Sequence, residues 1–211
     1  MPTDFRLPRV YPLTDVQLSA LSHADQVRLL SLGGASLIQL REKQRPALQF
    51  YEQAKAAVSE ARKTGVQIII NDRVDIALAC GAHGVHLGQD DLPPDAARRL
   101  LGPETIIGYS THSVDQAQRA LTFPIDYIAI GPIYDTATKS DTSPALGLEG
   151  LRAVREVVED LPLVAIGGIS LTNAAAVIEA GADSVALISA LLSADDGPTE
   201  ALRTLLQSLS S

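Results

Sequence analysis

The chain has 211 residues, 46% of them hydrophobic and 20% charged, with a net charge of −8. That balance describes a globular protein with its own core and excludes a disordered chain; the acidic excess argues against nucleic acid or an anionic membrane as partner. A single cysteine, Cys80, excludes an intrachain disulfide and a cysteine metal cluster, and reads as a small apolar residue near a helix end.

From the N-terminus, residues 1–8 lack the apolar stretch of a signal peptide, and no apolar run is long enough to span a bilayer. The default expectation is a cytoplasmic protein with no membrane partner. Apolar, β-branched runs then recur at 9–14, 36–41, 67–71, 84–87, 105–109, 127–131, 163–167 and 184–189. Several of them, such as Ile68-Ile69-Ile70 and Leu163-Val164-Ala165-Ile166, are apolar without alternation, as a parallel strand covered on both faces requires.

The stretches between the runs have helical spacing. Ala54, Ala57, Val58 and Ala61 form one stripe, while Lys55, Glu60 and Arg62 lie off it. Pro93-Pro94-Asp95 reads as a helix start, Ser113 with Gln116 as a capping box, and Ser170 with Asn173 as a further start. Gly65, Gly81 and Gly181 follow helix ends. Eight strand–helix units favour a closed (β/α)₈ TIM barrel over an open doubly wound sheet. The whole chain, 1–211, is expected to be one α/β domain, with the barrel at about 9–209.

In such a barrel the chemistry lies at the C-terminal ends of the strands. After the second strand, Gln39, Arg41 and Lys43 point to one side if the chain stays extended. Two cations and an amide suit a diphosphate, and a solvated loop with Arg41 paired to a carboxylate is the other reading. Asn71-Asp72 ends the third strand and Asp91 follows the fourth. Two carboxylates on neighbouring loops can hold Mg²⁺ with water and phosphate oxygens, although Asp72 could equally cap the next helix. His86 reads as a packed histidine. Ser110, then Thr136, Thr138 and Lys139, offer hydroxyls and a cation to phosphate oxygens; hydroxyls also fill turns for ordinary reasons. The stretch 135–147 is longer than a usual βα loop and is expected to be a lid. Gly167-Gly168 after the seventh strand, with Ile188-Ser189 after the eighth, fits the phosphate site these barrels build from backbone N–H groups.

These segments occur in an order that resembles the thiamine phosphate synthases. They are Gln39-Leu40-Arg41-Glu42-Lys43, Ile70-Asn71-Asp72, the run 84–91, Gly108-Tyr109-Ser110-Thr111-His112, Gly131-Pro132-Ile133-Tyr134 with Thr136-Ala137-Thr138-Lys139, and Ile166-Gly167-Gly168-Ile169. The resemblance runs from about Tyr11 to Ala190, and departs at Asp135, where the family usually has proline. It implies the joining of a hydroxymethylpyrimidine diphosphate to a thiazole phosphate (or its carboxylated form), with one Mg²⁺ held by Asp72 and Asp91. Gln39, Arg41, Lys43, Asn71, Ser110 and Lys139 would bind the pyrimidine diphosphate, with Arg41, Ser110 and Lys139 acting on the departing group. Thr136, Thr138, Gly168, Ile188 and Ser189 would bind the thiazole phosphate. The implied partners are small phosphorylated substrates, and a homo-oligomer is compatible with the sequence. Two alternatives stay open: a related thiazole tautomerase and a phosphate-ligand sensor. Neither needs both the metal pair and the Thr136–Lys139 set.

Overall fold

The computed structural model describes residues 5–136 and 144–209. In chain order the elements are β1 (Val10–Thr14), α1 (Val16–Ser19), α2 (His23–Leu32), β2 (Leu37–Leu40), α3 (Ala47–Thr64), β3 (Gln67–Asn71), α4 (Val74–Cys80), β4 (Gly84–Leu87) and α5 (Pro94–Leu101). They continue as β5 (Ile106–Thr111), α6 (Val114–Ala120), β6 (Tyr127–Ile130), α7 (Gly147–Val158), β7 (Leu163–Ile166), α8 (Ala174–Glu179), β8 (Ser184–Leu187), α9 (Ser189–Leu192) and α10 (Gly197–Ser208). The eight strands pair in sequence order, all parallel, and β1 closes on β8. The expected (β/α)₈ barrel is the fold.

Closure explains why the strands are apolar without alternation. Ile68, Ile69 and Ile70 are all fully buried, but in different cores. Ile68 and Ile70 pack outward with Val27, Phe50, Ala54 and Val85 between sheet and helices. Ile69 points inward with Tyr11, Leu13, Leu37, Ile106, Tyr127 and Val164. A parallel strand wrapped on both faces has no side to leave polar. The α3 stripe of Ala54, Ala57, Val58 and Ala61 lies against the outer core, and Cys80 is buried at the end of α4.

Helix punctuation follows local chemistry. Gly65 and Gly81 cap α3 and α4 in the left-handed region. The Ser113 hydroxyl accepts from Gln116 N–H at 3.2 Å, whereas the Gln116 side chain accepts from His112 N–H and not from Ser113. Half of the capping box therefore forms as expected. The other half is moved one residue back, because the strand runs further than its sequence pattern suggested. β5 continues to Thr111, so Ser110 stands on the strand itself and not in the following loop. β8 ends at Leu187, and Ser189 opens α9.

Candidate functional site

Strand register decides which side chains meet at the mouth. Leu13 is level with Gln39, Asn71 with His86, and Ser110 with Ala129. Gln39 and Asn71 are buried at the floor of the mouth. The Asn71 Nδ2 is a buried donor with no hydrogen-bond partner among the described residues. A buried donor left unmatched is costly, and at a cavity wall it is a place for a ligand acceptor.

Above this floor stand the charges. Arg41 Nη1 lies 2.8 Å from Asp15 Oδ2. Asp15 is held in turn as the N-cap of α1, accepting from Gln17 and Leu18 N–H. The carboxylate pairing considered for Arg41 is thus real, yet Arg41 still lines the cavity. Lys43 Nζ lies 2.5 Å from Asp72 Oδ2. Asp72 has φ +64°, a left-handed backbone uncommon outside glycine but one that Asp tolerates better than most residues. Here its N–H is held by His86 C=O at 2.8 Å. Its carboxylate caps nothing: the N-cap position of α4 is Arg73, without a side-chain cap. Asp91 accepts from Gly88 N–H at 2.7 Å. Burial, and then the charge of Asp72 beside it, raise the Asp91 carboxyl above its usual range, against the opposing pull of that N–H and of Lys43.

Across the barrel the wall is built from backbone. Gly167 and Gly168 have φ of +100° and +65°. A Cβ on Gly168 would lie 2.6 Å from Tyr134 Cβ and 2.7 Å from Asp135 O. The glycine is therefore required for close packing against the loop after β6, in addition to any approach of a ligand. Tyr134 N–H donates to Gly167 C=O at 3.0 Å, and Asn173 Nδ2 donates to Gly168 C=O at 3.2 Å. Asn173, expected at a helix start, thus also braces this loop.

Two cavities with different walls result. One, of about 500 Å³, is lined by Gln39, Arg41, Lys43, Asn71, Asp72, Asp91 and Ser110. The other, of about 70 Å³, is lined by Thr136, Gly168, Ile188 and Ser189. They share Ser110, His112, Ala129, Ile166 and Ala186. Thr138 and Lys139, and most of the expected lid at 135–147, lie outside the described residues.

Comparison with known proteins gives the same division of the chain a family. The family described as thiamine monophosphate synthase matches residues 10–191. The thiamine-phosphate synthase of Albidiferax ferrireducens is 48% identical, covering 92% of this chain and 89% of its own. That of Chloroflexus aurantiacus is 46% identical over 89% and 87% of the two chains. The structure of thiamine phosphate pyrophosphorylase from Pyrococcus furiosus superposes with a TM-score of 0.85 at 36% identity, covering 96% of this chain and 97% of that one. The chain belongs to the thiamine monophosphate synthase family. As a member of that family it is a transferase of thiamine biosynthesis.

Within this synthase the residues singled out by sequence line one cavity or the other, with Ser110 lining both, except for the two that lie outside the described residues. Three lining or bracing groups escaped sequence reasoning. His112, whose Nδ1 lies 2.7 Å from Gly131 C=O, borders both cavities. Asp15 holds Arg41, and Gln89 Nε2 donates to Ser110 C=O at 2.6 Å. His112 stood in a quoted segment without a role. Gln89 likewise stood in the quoted run 84–91 without a role, and Asp15 leaves no sequence signal beyond lying just after a strand. Among the described residues no group of three or more His, Cys, Asp or Glu could hold a metal ion, and no helix is long and apolar enough to cross a membrane.

Proposed function

We propose that the synthase joins 4-amino-2-methyl-5-hydroxymethylpyrimidine diphosphate to a thiazole phosphate, releasing thiamine phosphate and pyrophosphate. The observation that carries this reading is the pair of adjoining cavities. One is rich in cations and carboxylates, the other walled by glycine backbone and hydroxyls. Each suits one anionic substrate, and the shared wall would bring their reacting ends together.

In this reading the bond between the pyrimidine methylene carbon and the diphosphate oxygen breaks first, and its electron pair leaves with pyrophosphate. The thiazole nitrogen then donates its lone pair to the methylene carbon. That nitrogen carries no proton, so no strong general base is needed. Arg41 and Lys43 would counter the charge growing on the departing oxygens. Gln39 and the unmatched Asn71 donor would orient the pyrimidine. Ser110 would donate to a diphosphate oxygen, and Lys139 would do so from the loop after β6. Gly168, Ile188 and Ser189, with Thr136 and Thr138, would hold the thiazole phosphate. The apolar side chains of Leu13, Val164, Ile166 and Ala186 in the same cavity would keep water from a reactive carbocation.

Asp72 and Asp91 fit one Mg²⁺. Their oxygens are the hard donors this ion takes, and Asp72 stands near enough to add its charge to the burial that raises the Asp91 carboxyl. The Lys43 ammonium on Asp72 marks a place where positive charge is wanted. When bound, the ion would supply charge neutralisation to the diphosphate. The test is purified protein with both substrates, with and without Mg²⁺, followed by detection of thiamine phosphate and pyrophosphate. Product that forms equally well in chelator would overturn the metal assignment, and no product under any condition would overturn the reaction.

A further inference from the structure

Beneath the mouth a chain of hydrogen bonds crosses the barrel interior from one side of the cavity to the other. Gln39 Nε2 donates to Tyr11 Oη at 3.1 Å, and Tyr11 Oη lies 3.0 Å from Tyr127 Oη. Tyr127 Oη lies 2.9 Å from His86 Nδ1, and His86 Nε2 lies 2.8 Å from Ser110 Oγ. We propose that this chain has one polarity, fixed by the Gln39 amide, and that His86 is thereby a positioning residue that holds Ser110 as a hydrogen-bond donor toward the diphosphate.

The polarity follows from proton counting. An amide NH₂ only donates, so Tyr11 accepts from Gln39. The Tyr11 hydroxyl is fully buried with two partners, and its own proton goes to the other one, Tyr127. Burial pushes both phenols above their usual range, so each keeps its proton to pass on. Tyr127, having accepted, donates to His86 Nδ1. A neutral imidazole that accepts at Nδ1 carries its proton on Nε2, and Nε2 then donates to Ser110 Oγ. The Ser110 proton is left to point away from His86, into the cavity that Ser110 lines. A diphosphate oxygen accepts such a proton. The opposite polarity would turn the Ser110 proton toward His86 and present lone pairs to the anion.

A glycine in β5 makes room for this arrangement. A Cβ on Gly108 would lie 2.0 Å from Tyr127 Cζ, so the tyrosine ring reaches His86 only across a glycine in β5. The rings of His86 and Tyr127 stack with centroids 5.5 Å apart, which fixes the imidazole plane. Tyr127 is fully buried and borders neither cavity, so its effect on turnover would have to pass through the chain.

The inference rests on Ser110 as a diphosphate contact, and two measurements separate the layers. The first is two-bond ¹H–¹⁵N correlation of histidine-labelled protein without substrate, with His86 assigned by loss of its signals in His86→Gln. A proton on Nε2 is expected; a proton on Nδ1 overturns the polarity, and this readout does not depend on turnover. The second is a double-mutant cycle. Tyr127→Phe, isosteric within the core, should lower kcat about tenfold, the loss of one hydrogen bond of roughly 1.4 kcal/mol, with KM for the thiazole phosphate unchanged. In a Ser110→Ala background the same substitution should have no further effect. Equal costs in both backgrounds overturn the positioning role. Full turnover in Ser110→Ala alone sinks the reading of Ser110, and the positioning role with it, while the tautomer result stands by itself.

Discussion

The two ends of the barrel use the same residue types to opposite ends. At the bottom, Arg98 pairs with Asp126 at 2.7 Å and donates to the carbonyls of Pro124, Gly102, Pro103 and Thr105. Asp126 Oδ2 also accepts from Ile107 N–H at 2.7 Å. Arg155 repeats the device with Asp183, which accepts from Leu163 N–H. These arginines are spent on the protein itself. At the mouth, Asp72 and Asp91 face each other with Lys43 between them, and Asn71 keeps an unmatched donor. The arginines at the bottom are turned on the protein, although Asp126 Oδ1 and Ser184 Oγ are buried there without a hydrogen-bond partner among the described residues, whereas the unmatched Asn71 donor at the mouth borders a cavity. Neither burial nor an unmatched atom tells the two apart; an adjoining cavity does.

The comparison breaks most visibly at Arg98. Arg98→Ala leaves Asp126, which is nearly inaccessible, as a buried charge without its cation. Removing one partner of such a pair costs about 3–5 kcal/mol. Chemical denaturation should show that loss, while kcat of the folded fraction stays near the parent value. A large fall in kcat at unchanged stability would mean that the bottom of the barrel is coupled to the mouth.

Asp91→Ala should show the inverse pattern. Turnover should fall on the order of 10²-fold or more, as for other losses of charge stabilisation at a reacting group. Mg²⁺ should raise the melting temperature of the parent but not of the variant. Stability without metal should not suffer. The Asp91 carboxyl is raised, so the stability it contributes is present in acid and is lost as pH climbs from about 3.8 through the folded value. At neutral pH the charged form is a burden that Asp91→Asn removes, and below about 3.8 the parent and Asp91→Asn should converge.

His23 belongs to neither end, and its effect is read in pH. It is fully buried behind β1, with Nδ1 2.7 Å from Thr14 Oγ1 and Nε2 3.9 Å from Glu42. Burial lowers it from 6.5 to about 4 despite the nearby Glu42 carboxylate. A depressed histidine keeps its contribution above 6.5 and loses it as pH falls toward 4, a loss of about 3 kcal/mol. Denaturation between pH 7 and pH 4 should show this slope in the parent and much less of it in His23→Gln. Equal slopes in the two proteins would exclude His23 as the source.

The contrast between the ends also explains what was legible in the sequence. The barrel was legible because Ile68-Ile69-Ile70 and its like read as parallel strands covered on both faces, and eight such units with helices between them favour closure over an open sheet. Arg41, Lys43, Asp72 and Asp91 were legible as charges just past strands, where such barrels keep their chemistry, although a solvated loop and a helix cap explain the same residue types. The choice between Asp72 as cap and Asp72 as ligand was not, because both readings need an Asp at that position; the structure removes the first, since α4 has Arg73 at its N-cap and no side-chain cap, and the second stands as the proposal made above. The interior chain from Gln39 to Ser110 was hidden for a different reason. It joins β2, β1, β6, β4 and β5, and its links span up to 116 residues, so no local pattern carries it. His86 reads as a packed histidine from sequence, and it is packed, with both nitrogens in use.

The smallest expected effect sharpens the comparison within the bottom itself. Arg155 holds Asp183 at 2.5 Å, closer than Arg98 holds Asp126, so distance alone would rank it the stronger clamp. Exposure reverses that order. The Asp183 side chain is 49% exposed, against 3% for Asp126. Water can therefore replace the guanidinium at Asp183 when Arg155 is removed, and cannot do so at Asp126. Arg155 also donates to the carbonyls of Gly181, Leu161 and Glu159, which keeps its loss from being negligible. Arg155→Ala should cost about 1 kcal/mol, as for a well-placed pair near the surface. Raised ionic strength should shrink that cost and leave the Arg98→Ala cost intact, because screening reaches the exposed pair and not the buried one. Equal costs for the two alanine variants in low salt would mean that carbonyl contacts, and not the charge of the aspartate, carry the clamp.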